Sequence, residues 1–193
     1  NLFIHDAILD GVEFTIPSMK NRSVRLVETL VTINTLVTNG TMLLYGGHGG
    51  GKTTLTKILG RKFLGKTDPD IENAIIRGHS ELTEEKLIGN LNTAQMLDPK
   101  RIPEDGKMDV IWNDFIKSDW KIIDEVNRLR PYTQNILLSL LAEGVAKYQN
   151  RSFDVPDFTL FATMNPKDEG TTGNLPMPFM DRFAIAIPIT MPD

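Results

Sequence analysis

The run MLLYGGHGGGKTTLTKIL, from Met42 to Leu59, leaves this chain few choices of fold. Apolar Met42, Leu43, Leu44 and Tyr45 suit a buried strand that stops at Gly46. The glycines at 46, 47, 49, 50 and 51 allow conformations closed to residues with a Cβ, so successive N–H groups can turn inward on an anion. A helix opening near Gly51 adds its positive N-terminal end to the same target. Gly46, four residues, then Gly51-Lys52-Thr53 is the G-x-x-x-x-G-K-[ST] phosphate-binding loop. Lys52 is then the cation for β- and γ-phosphates, and the Thr53 hydroxyl a ligand for Mg²⁺. Gly46, Gly47, His48, Gly49, Gly50, Gly51, Lys52, Thr53 and Thr54 form the candidate nucleotide-binding set, with His48 as an exposed loop tip. The plain alternative is a glycine turn that binds nothing. Such a turn has no need of the Lys-Thr pair or of so many glycines.

A phosphate loop names a ligand class and no reaction. Trp120-Lys121-Ile122-Ile123 reads as a second buried strand, and it ends in Asp124-Glu125. In a parallel sheet, side chains at strand C-termini line the crevice where ligands bind. Asp124 there helps to fix Mg²⁺ through its water shell, and Glu125 takes a proton from an attacking water. A solvent-facing Asp-Glu pair is the competing reading.

The rest of the chain supplies an alternating pattern. Apolar spacing from Ser23 to Val37 predicts a helix, closed by Asn39-Gly40. The helix after the loop runs to about Leu64, and Asn73–Arg77 reads as a strand. Residues 90–107 are rich in Asn, Asp, Pro and Lys and read as exposed, and Met108–Lys117 reads as helical. Pro131 opens a helix that Gly144 closes. A hairpin about Asn150-Arg151, a strand Phe158–Thr163, a Gly/Pro-rich loop over 170–178 and a last strand AIAIPI follow. Apolar strands alternating with helices imply an α/β fold, a mainly parallel sheet covered on both faces. No internal repeat or second domain is visible in the 193 residues, so 1–193 reads as one domain with a 1–20 lead-in.

Net charge of −4 gives no global basic field to recruit nucleic acid or anionic lipid. The chain has no cysteine, which excludes disulfides and thiolate metal sites and fits a cytoplasmic setting. No membrane partner is expected.

In GGHGGGKTT (46–54), IIDEVNRLRPYTQNILLSLLAEG (122–144), FATMNP (161–166) and LPMPFMDRF (175–183) the chain resembles the AAA+ ATPases. Within them it is most similar to the MoxR-like branch, with McrB-like and dynein-related proteins as near relatives. The resemblance implies a P-loop NTPase three-layer αβα sandwich with a five-stranded sheet of order 5-1-4-3-2. It implies a ring-forming, Mg²⁺-dependent ATPase, hexameric or shared with different neighbours, that remodels a protein client. By the same resemblance Asn165 orients the lytic water, Arg182 is an arginine finger offered to a neighbour, and the family's helix-2 insertion falls within 80–107. The residues alone leave Asn165 open as a turn-former before Pro166, and Arg182 as a surface partner of Asp181. The family's helical lid is absent from this chain, which stops at Asp193 and reads as an excised piece. Two other functions stay open: a GTP-using motor of a DNA-processing or restriction complex, and a nucleotide-gated assembly module with little turnover.

Overall fold

The computed structural model describes residues 2–3, 13–15, 23–25, 39–47, 49, 51–165 and 175–189. Strands β1 (Leu2–Phe3), β2 (Glu13–Thr15) and β3 (Ser23–Arg25) precede β4 (Thr41–Tyr45), which feeds the glycine loop. Helices α1 (Lys52–Leu64) and α2 (Asp68–Asn73) lead into β5 (Ile75–Arg77). Then come α3 (Glu84–Leu87), β6 (Gly89–Leu91), α4 (Ala94–Leu97), β7 (Val110–Trp112) and α5 (Asp114–Lys117). β8 (Trp120–Asp124) is followed by α6 (Pro131–Glu143) and the hairpin β9 (Val145–Tyr148) and β10 (Arg151–Asp154). β11 (Thr159–Met164), α7 (Met177–Met180) and β12 (Ile185–Pro188) complete the described chain.

The main sheet has the order β1-β12-β4-β11-β8-β5, and every pairing in it is parallel. Counted along the chain from β4, its five core strands lie in the order 5-1-4-3-2, as expected of a P-loop NTPase. The lead-in adds a sixth, β1, beside β12. Period-two alternation divides the central strands between two cores. Met42, Leu44, Trp120, Ile122 and Phe161 pack with Leu59 of α1 and Ile71 of α2 on one face. Leu43, Ile123, Leu160 and Ala162 pack with Leu137 and Leu140 of α6 on the other. A strand buried on both sides is apolar at nearly every position, with Lys121 of β8 and Thr159 and Thr163 of β11 as buried polar exceptions in the central strands, and helices on both faces make the three layers.

Local chemistry sets the helix limits. Pro131 begins α6, where a missing N–H costs nothing, and Gly144 ends it in the left-handed region at φ 66°. Thr67 and Asp70 form a reciprocal capping box on α2.

Four stretches differ from the sequence reading. Val110–Trp112 is a strand paired antiparallel with β6, so only Asp114–Lys117 of the expected helix is helical. β-branched and aromatic residues prefer the pleated surface, and Asn113 stops the run. Ser23–Arg25, expected to open a helix, pairs antiparallel with β2, while 26–38 lie outside the described residues. The 80–107 region is only partly exposed: Leu82, Leu87 and Ile88 are in the core, and Leu97 is 89% exposed. Within the expected 170–178 loop, Met177 begins α7, and 170–174 are outside the described residues.

Candidate functional site

The glycine loop leaves the C-terminal end of β4, between β11 and β12. Gly46 N–H donates to the Met164 carbonyl at 3.2 Å. A Cβ on Gly46 would stand 2.1 Å from the Ile189 carbonyl oxygen, so no other residue fits this exit. Lys52, in the first turn of α1, folds back over the loop and donates to the Gly46 and Gly47 carbonyls at 3.0 and 2.7 Å. Burial pushes its pKa below the ordinary lysine value, and the nearby carboxylates of Asp124 and Glu125 pull the other way. Thr53 is half-buried, and Thr54 is exposed at the cavity rim. His48 and Gly50 lie outside the described residues.

Two hydroxyls converge on one carboxylate oxygen. Thr53 Oγ1 and Thr163 Oγ1 each donate to Asp124 Oδ1 at 2.6 Å. Thr163 Oγ1 also accepts the Glu125 N–H at 2.9 Å. Glu125 sits at φ 54°, ψ 50°, a left-handed conformation that costs a residue with a Cβ about 1–3 kcal/mol. Its Oε2 is 3.0 Å from the Arg128 guanidinium, and both side chains are half-buried. Gly78, just past β5, donates its N–H to the Asp124 carbonyl at 2.6 Å. A Cβ there would fall 2.1 Å from the Glu125 carbonyl oxygen, so glycine alone lets β5 close on this turn. Asn165, one residue past β11, is 3% exposed, and buried Asn127 donates Nδ2 to its carbonyl at 3.1 Å.

These groups line one open cavity of about 250 Å³. Lys52, Thr53, Asp124, Glu125, Thr163 and Asn165 all face it, from α1 and the ends of β8 and β11. It is smaller than the roughly 300–1,000 Å³ of sites that enclose a whole ligand, and suits the charged tail of one. The donor set fits Mg²⁺. Thr53 and Asp124 offer hard oxygen atoms, and the described residues hold no cluster of three or more His, Cys, Asp or Glu to cage a metal. Mg²⁺ characteristically takes only one or two protein oxygens and completes its shell with phosphate and water.

Arg182 is elsewhere. It precedes β12, and its carbonyl accepts a 2.8 Å hydrogen bond from Thr41 Oγ1 at the start of β4. The loop leaves β4 after Tyr45, about 13 Å along the strand at the usual rise per residue. Arg182 is exposed near the edge of the sheet opposite the cavity and is not among the residues that line it.

Sequence reading left out Thr163, Gly78 and the role of Asn127. Thr163 carried a signal: it lies two residues before Asn165, so strand alternation puts both on one face. Gly78 and Asn127 carried none, because their contacts are with residues distant in sequence.

Residues 41–183 match the family model of the AAA domain, dynein-related subfamily. The chain is 27% identical over 157 residues to the MoxR protein of Paracoccus denitrificans, covering 79% of this chain and 42% of that one. To the MoxR protein of Methylorubrum extorquens it is 26% identical over 177 residues, covering 90% and 46%. The chain thus spans under half the length of these curated relatives. Among solved structures, an ATPase-like protein from Cytophaga hutchinsonii superposes with a TM-score of 0.61 at 24% identity, covering 87% of this chain and 46% of that one. NtrX from Brucella abortus gives 0.54 at 16% identity, over 85% and 36%. Hsp104 with ATPγS and FITC-casein gives 0.51 at 19%, over 78% and 28%. At these identities the structural likeness speaks for the fold alone.

Proposed function

The chain belongs to the AAA domains of the dynein-related subfamily, in the MoxR-like branch of the AAA+ ATPases, and on that premise we propose that it hydrolyses ATP with Mg²⁺ as one subunit of a ring that remodels a protein partner. One observation carries the reading. A lysine, a threonine hydroxyl, two carboxylates and an asparagine meet at one cavity on the C-terminal edge of a parallel sheet.

In this reaction Lys52 exchanges the Gly46 and Gly47 carbonyls for phosphate oxygens, a replacement of neutral acceptors by charged ones. Mg²⁺ beside the Thr53 hydroxyl and Asp124 supplies charge neutralisation at the phosphates. Glu125 accepts a proton from water as the water oxygen bonds to the γ-phosphorus. The bond from that phosphorus to the bridging oxygen breaks, and ADP leaves with the electron pair. Asn165 orients the water from the facing strand end. The distance between Arg182 and its own cavity supports its use by a neighbour, and with it the ring. The described helices include none long and apolar enough to cross a membrane.

The test is steady-state ATP hydrolysis by the wild-type chain and by Glu125→Gln, with binding followed by calorimetry. An amide cannot take the water's proton, so turnover should fall about 10²–10⁴-fold while ATP affinity stays. Near-normal hydrolysis in Glu125→Gln would remove Glu125 as the base, and DNA-stimulated GTP turnover by the wild type would replace the protein-remodelling reading.

A further inference from the structure

We propose that Thr163 is the positioning residue for both carboxylates of this site, its one hydroxyl holding the Asp124 side chain and the Glu125 backbone in their working arrangement. The inference rests on the hydrolytic reading above and deepens it.

The β11–β8 ladder runs from Thr159 opposite Trp120 to Ala162 opposite Ile123, and there it stops. Continued by one step, the register sets Thr163 opposite Asp124. At that step a side chain takes over from the main chain. Thr163, 1% exposed, gives its only hydroxyl proton to Asp124 Oδ1 at 2.6 Å and takes the Glu125 N–H at 2.9 Å. A hydroxyl is the one short group that does both at once.

Each bond has a consequence at the cavity. Asp124 Oδ1 also receives Thr53 Oγ1, so the carboxylate is held between hydroxyls from α1 and from β11. Its orientation is set before any ligand arrives. Glu125 is held in a left-handed conformation that persists only where its surroundings impose it. The Gly78 contact blocks its carbonyl side, and Thr163 anchors its N–H. That backbone sets the direction of the Glu125 Cα–Cβ bond, and Arg128 pairs with the carboxylate at the far end of the side chain.

Valine has the shape of threonine and neither donor nor acceptor, whereas serine keeps both. The experiment compares Thr163→Val and Thr163→Ser with the wild type in two measurements. One is kcat and KM for ATP. The other is the affinity for ATPγS in Mg²⁺ divided by that in EDTA, which needs no turnover. Loss of an outer-shell partner commonly costs about 10–100-fold in activity or metal affinity. Thr163→Val should lose about that much in kcat with little change in KM, and its Mg²⁺ advantage should shrink about tenfold or more. Thr163→Ser should stay near the wild type in both. If valine prevents folding, Thr163→Ala takes its place with the same expected losses. A wild type that does not turn over ATP sinks the hydrolytic reading, and the Mg²⁺ advantage then decides the role of Thr163. The proposal is overturned if valine leaves the Mg²⁺ advantage and any measurable kcat unchanged. It is equally overturned if serine loses as much as valine, because the hydroxyl would then not be what matters.

Discussion

The two ends of β8 carry opposite charges and treat them in opposite ways. Toward the strand's N-terminal end Lys121 is fully buried, and its ammonium donates to the carbonyls of Phe115, Ile116 and Ser118. Those carbonyls close α5, and the Phe158 ring stands 4.8 Å from the same nitrogen. Burial pushes the Lys121 pKa down to about 7. At the C-terminal end Asp124 and Glu125 are half-buried and open on a cavity shared with Lys52. The donors of the Lys121 side chain are spent inside the fold, so that group is structural. The charges at the other end share a space that a ligand can enter. The distinction also runs along the whole sheet. The N-terminal edge is closed by the Lys66–Asp119 ion pair and by Asn39, which bonds to Asp157 at 3.1 Å and to the Phe158 N–H.

Arg182 is the strongest challenge to this division, because it is a charge on the closed edge to which a reactive role is assigned. A finger supplied to a neighbour is worth about 10³–10⁵ in rate, whereas an exposed ion pair contributes at most about 1 kcal/mol. Arg182→Ala should therefore be nearly inactive and still bind ATP. Mixed with Glu125→Gln, it should regain hydrolysis at interfaces pairing an intact Glu125 with an intact Arg182. A demonstrably mixed assembly with no recovery would end the assignment in trans.

The next effect belongs to the open end. Lys52→Ala removes the cation that the loop holds beside the carboxylates, and calorimetry should record an ATP affinity lower by about 100-fold, the scale of a lost charge-assisted bond of about 3 kcal/mol. Unchanged affinity would move the nucleotide site away from this loop. Asn165→Ala should be milder, with kcat down about tenfold and affinity nearly unchanged, since its contact matters mainly as water attacks. An equal loss in affinity would make Asn165 a residue that shapes the strand end.

The smallest expected change sharpens the comparison from the closed side. The folded Lys121 pKa of about 7 lies below the ordinary value of 10.5, so the unfolded chain binds more protons between those pH values. Stability from this group therefore rises with pH across that window, by up to about 1.4 kcal/mol per unit. Lys121→Met leaves the carbonyls at the end of α5 without their donor and abolishes the slope. Urea denaturation should find the variant less stable than wild type by about 2 kcal/mol at pH 9.5, and the gap should nearly close at pH 7.5. A constant gap would mean that Lys121 keeps an ordinary pKa. ATP affinity should not follow either change.

What the sequence determined by itself was what depends on short spacing. The strand–glycine–Lys-Thr order, the Asp-Glu pair after four buried residues, and Pro131 and Gly144 bounding α6 follow from local rules of backbone freedom and periodicity, whereas the order of the five core strands was legible only through the family resemblance. The tertiary structure decided what depends on which strand ends lie side by side. Thr163 meets Asp124 and Glu125 across 38 or 39 positions of sequence, Gly78 meets the Glu125 carbonyl, and Lys121 finds its carbonyls on α5. Val110–Trp112 became a strand because Gly89–Leu91 was there to pair with it, and β1 joined the sheet beside β12. Arg182 lies at the far end of the sheet from its own cavity because β12 runs parallel to β4 and begins at the opposite edge. A hydrogen bond has a reach of about 3 Å and does not depend on sequence separation, so partners of this kind become visible only once the sheet has brought the strand ends together.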